Sequence, residues 1–265
     1  MQKLPTPELE DEDKAVAVRV LLGRALEQHG RLVYANSLGA EAIVLTDIIW
    51  THLPRIDVFS IDTGRLHEET YELLERLQRR YGRTVRVVYP DAAALERLVT
   101  QHGVNGFYHS VEARLECCRV RKVEPFRLAI AGFPGWITGV RRGQSAGRAN
   151  GRPVEWDAEH RLYKISPLLD WTEEEVWRYI RRRALPYNPL HNRRFPSIGC
   201  SPCTRAPSSP VRAVALDAGG GSTPSHRANA VCTRCFHPHR RRLQECPAAP
   251  LAQSLVRQRG RRRVD

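Results

Sequence analysis

The sequence predicts an α/β fold in which a parallel sheet is flanked by helices. Short apolar segments of strand length alternate with longer segments of helical periodicity between residues 13 and 182. This alternation is typical of a parallel sheet with helices on both faces. The chain has 265 residues, 42% of them hydrophobic, which is enough for one sizeable core. No apolar run approaches the length of a membrane span, so we expect a soluble protein without a membrane partner.

The first predicted elements are a helix, a strand and a second helix. An amphipathic pattern predicts a helix over residues 13–28, Leu32–Ala35 has the character of a buried strand, and an apolar helix follows as far as Trp50. In the turn before this second helix, Ser37 offers a hydroxyl and Gly39 offers bare backbone N–H groups to a phosphate. A plain connection without a ligand explains such a turn about as well.

The alternation continues through two more strands and two more helices. Residues 56–61 and 85–89 have strand character, whereas Glu68–Tyr81 and Ala92–His102 have helical character. After the first of these strands, the loop Asp62-Thr63-Gly64-Arg65 offers oxygen acceptors and a cation to a sugar or a base. Because the carboxyl ends of parallel strands lie at one edge of the sheet, we expect this loop and the preceding turn to face one crevice.

Two adjacent arginines follow a further predicted strand. Residues 136–140 have strand character, and Arg141 and Arg142 come directly after them. Guanidinium groups bind phosphate or sulfate bidentately, so an anion is the expected ligand. A solvated basic loop is the alternative. Residues 163–165 predict one more strand.

The final predicted helix begins at a capping box. Thr172 and Glu175 have the spacing of this motif, and the helical pattern extends to about Arg182. Two tryptophans, Trp171 and Trp177, lie at its start and in its middle. We expect them to pack in the core rather than to hold a cofactor.

Four cysteines occur as two pairs that are far apart in the chain. Cys117 and Cys118 are adjacent, and Cys200 and Cys203 form a Cys-x-x-Cys motif. Four soft sulfur ligands favour zinc or an iron–sulfur cluster. Zinc ribbons have two spaced pairs, whereas an adjacent pair suits a larger inorganic core, so we favour a four-iron cluster. Four unrelated cysteines, or a strained disulfide between neighbours, are the alternatives.

The net charge of +13 does not by itself indicate a nucleic-acid partner. Residues 207–265 carry eleven arginines against three acidic residues, a net charge of +8 that leaves +5 for residues 1–206. Without a folded basic module, this charge gives only non-specific attraction to phosphate, so we expect no specific nucleic acid. The acidic N-terminus shows no secretory signal, so we expect the seven cysteines to lie in a reducing cytoplasm.

Several of these segments together resemble a known family. They match, in order, the motifs of the assimilatory sulfonucleotide reductases, and specifically of the iron–sulfur type that reduces adenylyl sulfate. The matching segments span most of residues 30–206 and comprise residues 37–41, 62–67, 117–125, 138–145, 167–172, 187–191 and 199–205.

This resemblance implies an adenine nucleotide α-hydrolase-like fold and the reduction of adenylyl sulfate to sulfite and AMP, in sulfate assimilation and cysteine biosynthesis. The implied reductant is thioredoxin or glutaredoxin, and a homo-oligomer is left open. The implied cofactor is a [4Fe–4S] cluster on Cys117, Cys118, Cys200 and Cys203. The implied substrate-binding residues are Ser37, Gly39, Asp62, Thr63, Gly64, Arg65, Lys122, Arg141 and Arg142. Family members without the four cysteines use the 3′-phosphorylated substrate, so the cysteines favour adenylyl sulfate.

The nucleophile of this family is missing from the sequence. In the family, a cysteine in a C-terminal Glu-Cys-Gly-Leu-His motif attacks the substrate sulfur, and no such motif occurs here. Cys232 and Cys246 are weak candidates, so the catalytic residue is unknown. Residues 207–265 are rich in Arg, Ala, Pro, Gly and Ser and contain no lysine. We therefore divide the chain into a cluster-bearing reductase domain, residues 1–206, and an irregular, disordered tail, residues 207–265.

Back-translation offers an explanation for this tail. Residues 218–222, written as GCT GGT GGT GGG AGC, give Trp-Trp-Trp-Glu when they are read from the third base. Residues 228–233, written as GCG AAT GCG GTG TGC ACN, give Glu-Cys-Gly-Val-His in the same shifted frame. Both words resemble motifs of the family, in the family's order. The hypothesis is a frameshift between Ala206 and Ala218.

Three functions therefore compete on the sequence alone. The first is an adenylyl-sulfate reductase, with a phosphoadenylyl-sulfate reductase as its variant. The second is a catalytically silent protein that binds the cluster and the nucleotide. The third, a zinc and RNA-binding module, fits the cysteine and arginine counts but offers no aromatic-rich β-surface.

Overall fold

The computed structural model describes residues 7–145, 148–204 and 206 of the chain. Over these residues the fold is a six-stranded sheet with helices on both faces. The strands are β1 Leu32–Ala35, β2 Asp57–Ile61, β3 Arg86–Val88, β4 Gly135–Ile137, β5 Val154–Asp157 and β6 Leu162–Ile165. The α-helices are α1 Pro7–His29, α2 Ala40–His52, α3 Glu68–Tyr81, α4 Ala92–His102, α5 Val111–Cys118, α6 Glu124–Ile130 and α7 Glu173–Arg182.

The strand order reverses direction at β1. The order is β3-β2-β1-β4-β6-β5, and every neighbouring pair is parallel except β5–β6. The chain passes from β1 to β2 on one side and later adds β4 on the other side. Sheets of this type bind ligands where the strand order reverses, beyond the carboxyl ends of the strands. The loops after β1, β2 and β4 all lie at that edge.

Most of the predicted elements are confirmed, with shifts of a few residues at their ends. Helices α3 and α4 have the predicted bounds. Helix α7 begins with the predicted capping box, in which Thr172 Oγ1 accepts a hydrogen bond from Glu175 N at 3.2 Å and the Glu175 carboxylate accepts one from Thr172 N at 2.8 Å. The sequence does not predict β5 or the two helices α5 and α6. Strand β5 is a short edge strand whose side chains are half-buried or exposed, so it lacks a clear apolar alternation.

The two faces of the sheet have separate apolar cores. On one face, α1, α2, α3 and α7 contribute to the larger core, in which Trp171 is buried against Tyr179 as predicted. On the other face, α6 packs Phe126 against Phe59 of β2 and Trp136 of β4. No helix among the described residues is long and apolar enough to cross a membrane.

A buried carboxylate ties three helices together on the larger core. Asp47 of α2 is 1% exposed and accepts hydrogen bonds from Tyr81 Oη at 2.6 Å, Tyr179 Oη at 2.8 Å and Arg183 Nε at 2.6 Å. These donors lie at the end of α3, within α7 and just after α7. A buried charge is tolerated when it is paired and hydrogen-bonded in this way, so Asp47 fixes how α3 and α7 sit against α2.

Candidate active site

The loop between β1 and α2 is ordered by hydrogen bonds of the Asn36 side chain. Asn36 accepts a hydrogen bond from Leu38 N at 2.8 Å, and its Nδ2 donates to Thr46 Oγ1 at 2.9 Å. Leu38 has φ of +59°, a conformation that is uncommon for a branched side chain and that clusters at functional sites. As a result Ser37 is exposed, while Gly39 precedes the first turn of α2 without a capping side chain. The N–H groups of that turn are available to an anion.

The loop between β2 and α3 is also organised internally. Asp62 is 8% exposed, and its Oδ1 accepts hydrogen bonds from Gly64 N at 2.7 Å and from Tyr71 Oη at 3.1 Å. Gly64 has φ of +68°, which a residue with a side chain adopts only with strain. The sequence analysis expects this loop to offer acceptors to a sugar or a base, and in the structure the Asp62 carboxylate also fixes the loop through these two hydrogen bonds.

The two cysteine pairs lie on different elements. Helix α5 ends at Cys118, and one π-helical turn, Arg119–Val123, connects it to α6. Cys200 caps a short 3₁₀ turn, Ser201–Cys203. None of the four cysteines is in a disulfide, so the structure does not support the alternative of a disulfide between the neighbours.

Contacts bring both pairs to the β2–α3 loop. Thr63 Oγ1 lies 3.2 Å from Cys200 Sγ, and Ser201 N donates a hydrogen bond to Arg65 O at 2.7 Å. Cys117 interacts electrostatically with Cys200, and Cys203 interacts with both members of the first pair. The four sulfurs therefore come together, although more than 80 residues separate the pairs in the sequence.

Burial and nearby cations act on these thiols in opposite directions. Burial raises the pKa of Cys117, and the positive charge of Arg121 lowers it. Burial, together with the neighbouring cysteines, raises the pKa of Cys203 to about 11, while Arg114 lowers it. Without a metal, the thiols of Cys117 and Cys203 keep their protons at neutral pH, and binding a metal must displace those protons.

The arrangement of the cysteines does not match that of a single-ion site. Among the described residues, no group of three or more His, Cys, Asp or Glu side chains is placed to hold one metal ion. A zinc ion draws four sulfurs to about 2.3 Å from one centre. The described cysteines are not placed in this way. A four-iron cluster takes each thiolate on a different iron atom.

A third group of polar residues lies between α2 and the loop after β4. Arg141 is 7% exposed and donates from Nε to Glu41 Oε1 at 2.7 Å, and Gln144 Nε2 donates to the same oxygen at 2.9 Å. Burial lowers the pKa of Arg148, while the charge of Glu41 raises it. A side chain at Gly139 would place its Cβ 3.2 Å from Glu41 Cβ, so the glycine allows the strand end to approach α2 closely.

The two other predicted arginines have partners within the protein. Arg142 donates from Nε to Asp170 Oδ1 at 2.9 Å and from a terminal nitrogen to Gly151 O at 3.0 Å. Arg65 donates to Asn105 Oδ1 at 3.3 Å and lies over the ring of Phe107 at 5.4 Å. Beside Arg65, a cavity of about 600 Å³ opens between the β2–α3 loop and the 3₁₀ turn at Ser201–Cys203.

The predicted residues thus fall into two neighbouring groups. The four cysteines and the loop Asp62–Arg65 form one group, with Lys122 half-buried in the π-helical turn beside the first cysteine pair. The turn at Ser37 and Gly39 forms the other with Arg141. The sequence analysis does not single out Glu41, Gln144 or Arg148, because a polar residue in a loop has no periodicity that would reveal its partners. Cys232, Cys246 and the tail at 207–265 lie outside the described residues.

Relatives of known type match this part of the chain. The family model described as the phosphoadenosine phosphosulfate reductase domain matches residues 31–206. The adenosine 5′-phosphosulfate reductase of Allochromatium vinosum is 50% identical over 186 residues, which cover 70% of this chain and 73% of the relative. The protein of the same name from Burkholderia cepacia is 45% identical over 201 residues, covering 76% and 80% of the two chains.

Solved structures share the fold. The phosphoadenylyl-sulfate (PAPS) reductase of Candida auris, in a phosphate complex, superposes with a TM-score of 0.63 at 24% identity and covers 76% of this chain and 98% of its own. The FMN adenylyltransferase of Candida glabrata has a TM-score of 0.52 at 15% identity, covering 76% and 66% of the two chains. These likenesses support the predicted nucleotide α-hydrolase-like architecture.

Proposed function

Because the chain belongs to the phosphoadenosine phosphosulfate reductase family, we propose that it catalyses the reduction of adenylyl sulfate to sulfite and AMP in sulfate assimilation. One observation carries this proposal. Relatives that are 45–50% identical over more than two thirds of both chains bear the name adenosine 5′-phosphosulfate reductase. The described residues add a site of matching chemistry, in which four cysteines, none of them in a disulfide, lie beside a loop at the carboxyl ends of the strands.

The four cysteines favour adenylyl sulfate over its 3′-phosphorylated form, since family members without them use the latter. Cys117, Cys118, Cys200 and Cys203 suit a [4Fe–4S] cluster, because they provide four soft sulfur ligands from two segments that lie near one another. The positive charges of Arg114 and Arg121 suit a cluster that is negatively charged when it is held by four thiolates. When it is bound, the cluster would supply fixed negative charge and polarisable sulfur beside the substrate.

The phosphate and sulfate of the substrate are negatively charged. They are bound best by cations and N–H groups that the folded protein already holds in place. The proposed groups are the turn at Ser37 and Gly39 with the first N–H groups of α2, the guanidinium groups of Arg141 and Arg142, and Lys122. Guanidinium groups and helix N-termini both stabilise phosphate and sulfate oxygens. The loop Asp62–Arg65 is proposed to hold the nucleoside by its backbone and by Thr63.

The proposed chemistry is the transfer of a sulfo group to a thiolate. A cysteine thiolate attacks the sulfur of adenylyl sulfate, a new S–S bond forms, the bond between that sulfur and the phosphate oxygen breaks, and AMP leaves with the electron pair. A dithiol, proposed to be thioredoxin or glutaredoxin, then attacks the S-sulfocysteine. It supplies two electrons, releases sulfite, restores the cysteine and becomes a disulfide. A reducing cytoplasm is the proposed location, because both thiols must stay reduced.

The attacking thiol requires a second proposal. The sequence contains no Glu-Cys-Gly-Leu-His motif, and the shifted-frame words at residues 218–222 and 228–233 support a frameshift between Ala206 and Ala218. On this proposal, residues 1–206 form the binding domain and the nucleophile is encoded in the other frame. The missing motif also favours a second candidate function, in which the chain with its present tail binds the cluster and the nucleotide but does not reduce the substrate.

Mass spectrometry separates the two functions. The purified chain and a version with the tail restored to the shifted frame are each mixed with adenylyl sulfate and digested without reductant. We expect an SO₃ adduct on the motif cysteine of the restored chain and on no cysteine of the unaltered chain. An adduct on Cys232 or Cys246 would instead show that the unaltered chain is active. No adduct and no release of AMP by either version would contradict the proposed reaction.

A further inference from the structure

Arg121 is a buried cation behind the first cysteine pair. It is 6% exposed and lies in the π-helical turn Arg119–Val123, which begins directly after Cys118. An arginine side chain keeps its charge at any pH that a protein survives. Burying that charge costs free energy unless partners compensate for it, so its partners indicate what the residue is for.

Its contacts reach both halves of the site. One terminal nitrogen, Nη1, donates a hydrogen bond to Thr63 O at 2.7 Å. The positive charge of the guanidinium also acts on Cys117, where it lowers the pKa of the thiol; the two residues are four positions apart in the chain. A side chain at Gly64 would place its Cβ 3.3 Å from Nη1. In the loop Asp62–Arg65, Gly64 follows the acceptor Thr63 and therefore places no side chain against this cation.

Among the described residues, no carboxylate forms an ion pair with Arg121 within 4.0 Å. Its Nε is buried and has no hydrogen-bond partner among the residues that the structure describes. Arg119, two positions earlier, is exposed and bonds Glu116 and Glu124 at 2.7 Å each. In this turn, Arg119 therefore pairs with carboxylates at the surface, whereas Arg121 lies near a thiol in the interior. Unusual helical turns of this kind are frequent at functional sites.

We propose that Arg121 is a positioning residue that joins the nucleotide loop to the cluster site. Its hydrogen bond to Thr63 O fixes the backbone of the loop Asp62–Arg65, and its charge offsets the negative charge of the cluster at Cys117. The inference rests on the proposed function, because the balancing charge is that of the bound cluster. Removal of the cation should weaken cluster retention, and shortening of the side chain should weaken nucleotide binding.

Three variants separate the charge from the hydrogen bond. Arg121→Gln removes the charge, Arg121→Lys keeps the charge but not the reach to Thr63 O, and Arg119→Gln is the matched exposed control. Each full-length chain is purified anaerobically with its cluster. Two quantities are measured: the rate at which a chelator removes iron, followed by the visible absorption, and the Kd for AMP by calorimetry. Neither quantity depends on turnover, so a missing nucleophile does not affect them.

We expect Arg121→Gln to release iron about tenfold faster than the parent, which corresponds to about 1.4 kcal/mol. Arg121→Lys should release iron close to the parent rate, yet bind AMP about tenfold more weakly. Arg119→Gln should match the parent in both measurements. A purely structural role would make the lysine variant as labile as the glutamine variant.

Two results would overturn the proposal. The first is equal iron release by parent, Arg121→Gln and Arg121→Lys chains. The second is an unchanged Kd for AMP in Arg121→Lys, which also decides the matter if Arg121→Gln does not fold. A parent chain that binds no iron would instead refute the proposed cluster, and the inference would fall with it. The parent sample alone reveals that outcome.

Discussion

Most polar side chains of the candidate site bind the protein itself. Asn36 and Asp62 each accept a hydrogen bond from the N–H two residues later, at 2.8 and 2.7 Å, and each thereby fixes a loop at a strand end. Such turns are a common use of short polar side chains. Loops that are already ordered lose little conformational entropy when a ligand binds. We therefore expect the two loops to change little on nucleotide binding.

Arg142 provides the first prediction at this scale. Its replacement by alanine removes a guanidinium from the anion site and frees the backbone at Gly151. We expect binding of adenylyl sulfate to weaken by about 1.5–3 kcal/mol, the typical value of a hydrogen bond to a charged group. Calorimetry measures the change, with Arg152→Ala, at an exposed position nearby, as the control. Equal affinity of the Arg142 variant and the parent would remove this arginine from the site.

His191 gives a prediction about pH. Burial lowers the pKa of His191 below its usual 6.5, so the unfolded chain takes up a proton at a higher pH than the folded chain does. The contribution of neutral His191 to the free energy of unfolding is then fully present above about pH 6.5, and it is lost as the pH falls from there toward the lowered pKa of the folded state. His191→Asn retains an N–H group near Phe195 O, the partner of His191 Nδ1, but cannot titrate.

Urea unfolding between pH 5 and 8 tests this linkage. We expect the free energy of unfolding of the parent chain to drop more steeply below about pH 6.5 than that of His191→Asn. His52→Asn, at the exposed end of α2, is the control and should follow the parent curve. Parallel curves for the parent and His191→Asn would show that the residue has no part in the acid sensitivity.

At the scale of elements, α2 organises both the site and the core. Its first turn presents N–H groups and Glu41 to the site, and its Asp47 accepts hydrogen bonds from three donors on or next to α3 and α7. Asp47→Ala would leave two tyrosine hydroxyls and Arg183 without this acceptor. We expect a loss of about 3 kcal/mol in the free energy of unfolding, as for other broken buried pairs.

The matched control is Asp57→Ala. Asp57 begins β2 and forms an exposed ion pair with Arg31 at 3.5 Å, which is expected to contribute about 0–1 kcal/mol. Urea unfolding of both variants at neutral pH gives the comparison. Similar small losses for the two variants would contradict the role of Asp47 as the link between α2, α3 and α7.

Sequence patterns predict the longer elements that bury one face, and they miss the edge strand β5 and the short helix α6, which buries Phe126 and Ile130 but spans only seven residues. Helix α3 has apolar residues at helical spacing and is predicted with its full bounds, Glu68–Tyr81. The edge strand β5 has little burial, and the π-helical turn at Arg119–Val123 depends on contacts with a distant loop. The cysteine pairs are recognisable by residue type and spacing. The bond of Arg121 to Thr63, by contrast, is a tertiary contact that no local pattern records.

At the scale of the whole molecule, the family domain and the tail differ in character. The family model matches residues 31–206, whereas residues 207–265 carry eleven arginines and no lysine. The frameshift proposal predicts the gene sequence here. Codons 218–222 and 228–233 should spell Trp-Trp-Trp-Glu and Glu-Cys-Gly-Val-His when read from the third base. DNA sequencing across the tail tests this prediction, and codons that encode any other peptides in that frame would refute the frameshift.

The meeting of four cysteines beside the nucleotide loop is the central claim, and analysis of iron and acid-labile sulfide tests it most directly. The anaerobically purified chain is predicted to contain about four iron atoms and four sulfides and no stoichiometric zinc. Cys203→Ser should lose the brown chromophore, whereas Cys246→Ser should keep it. Stoichiometric zinc in the parent chain, or a full cluster in Cys203→Ser, would contradict the account.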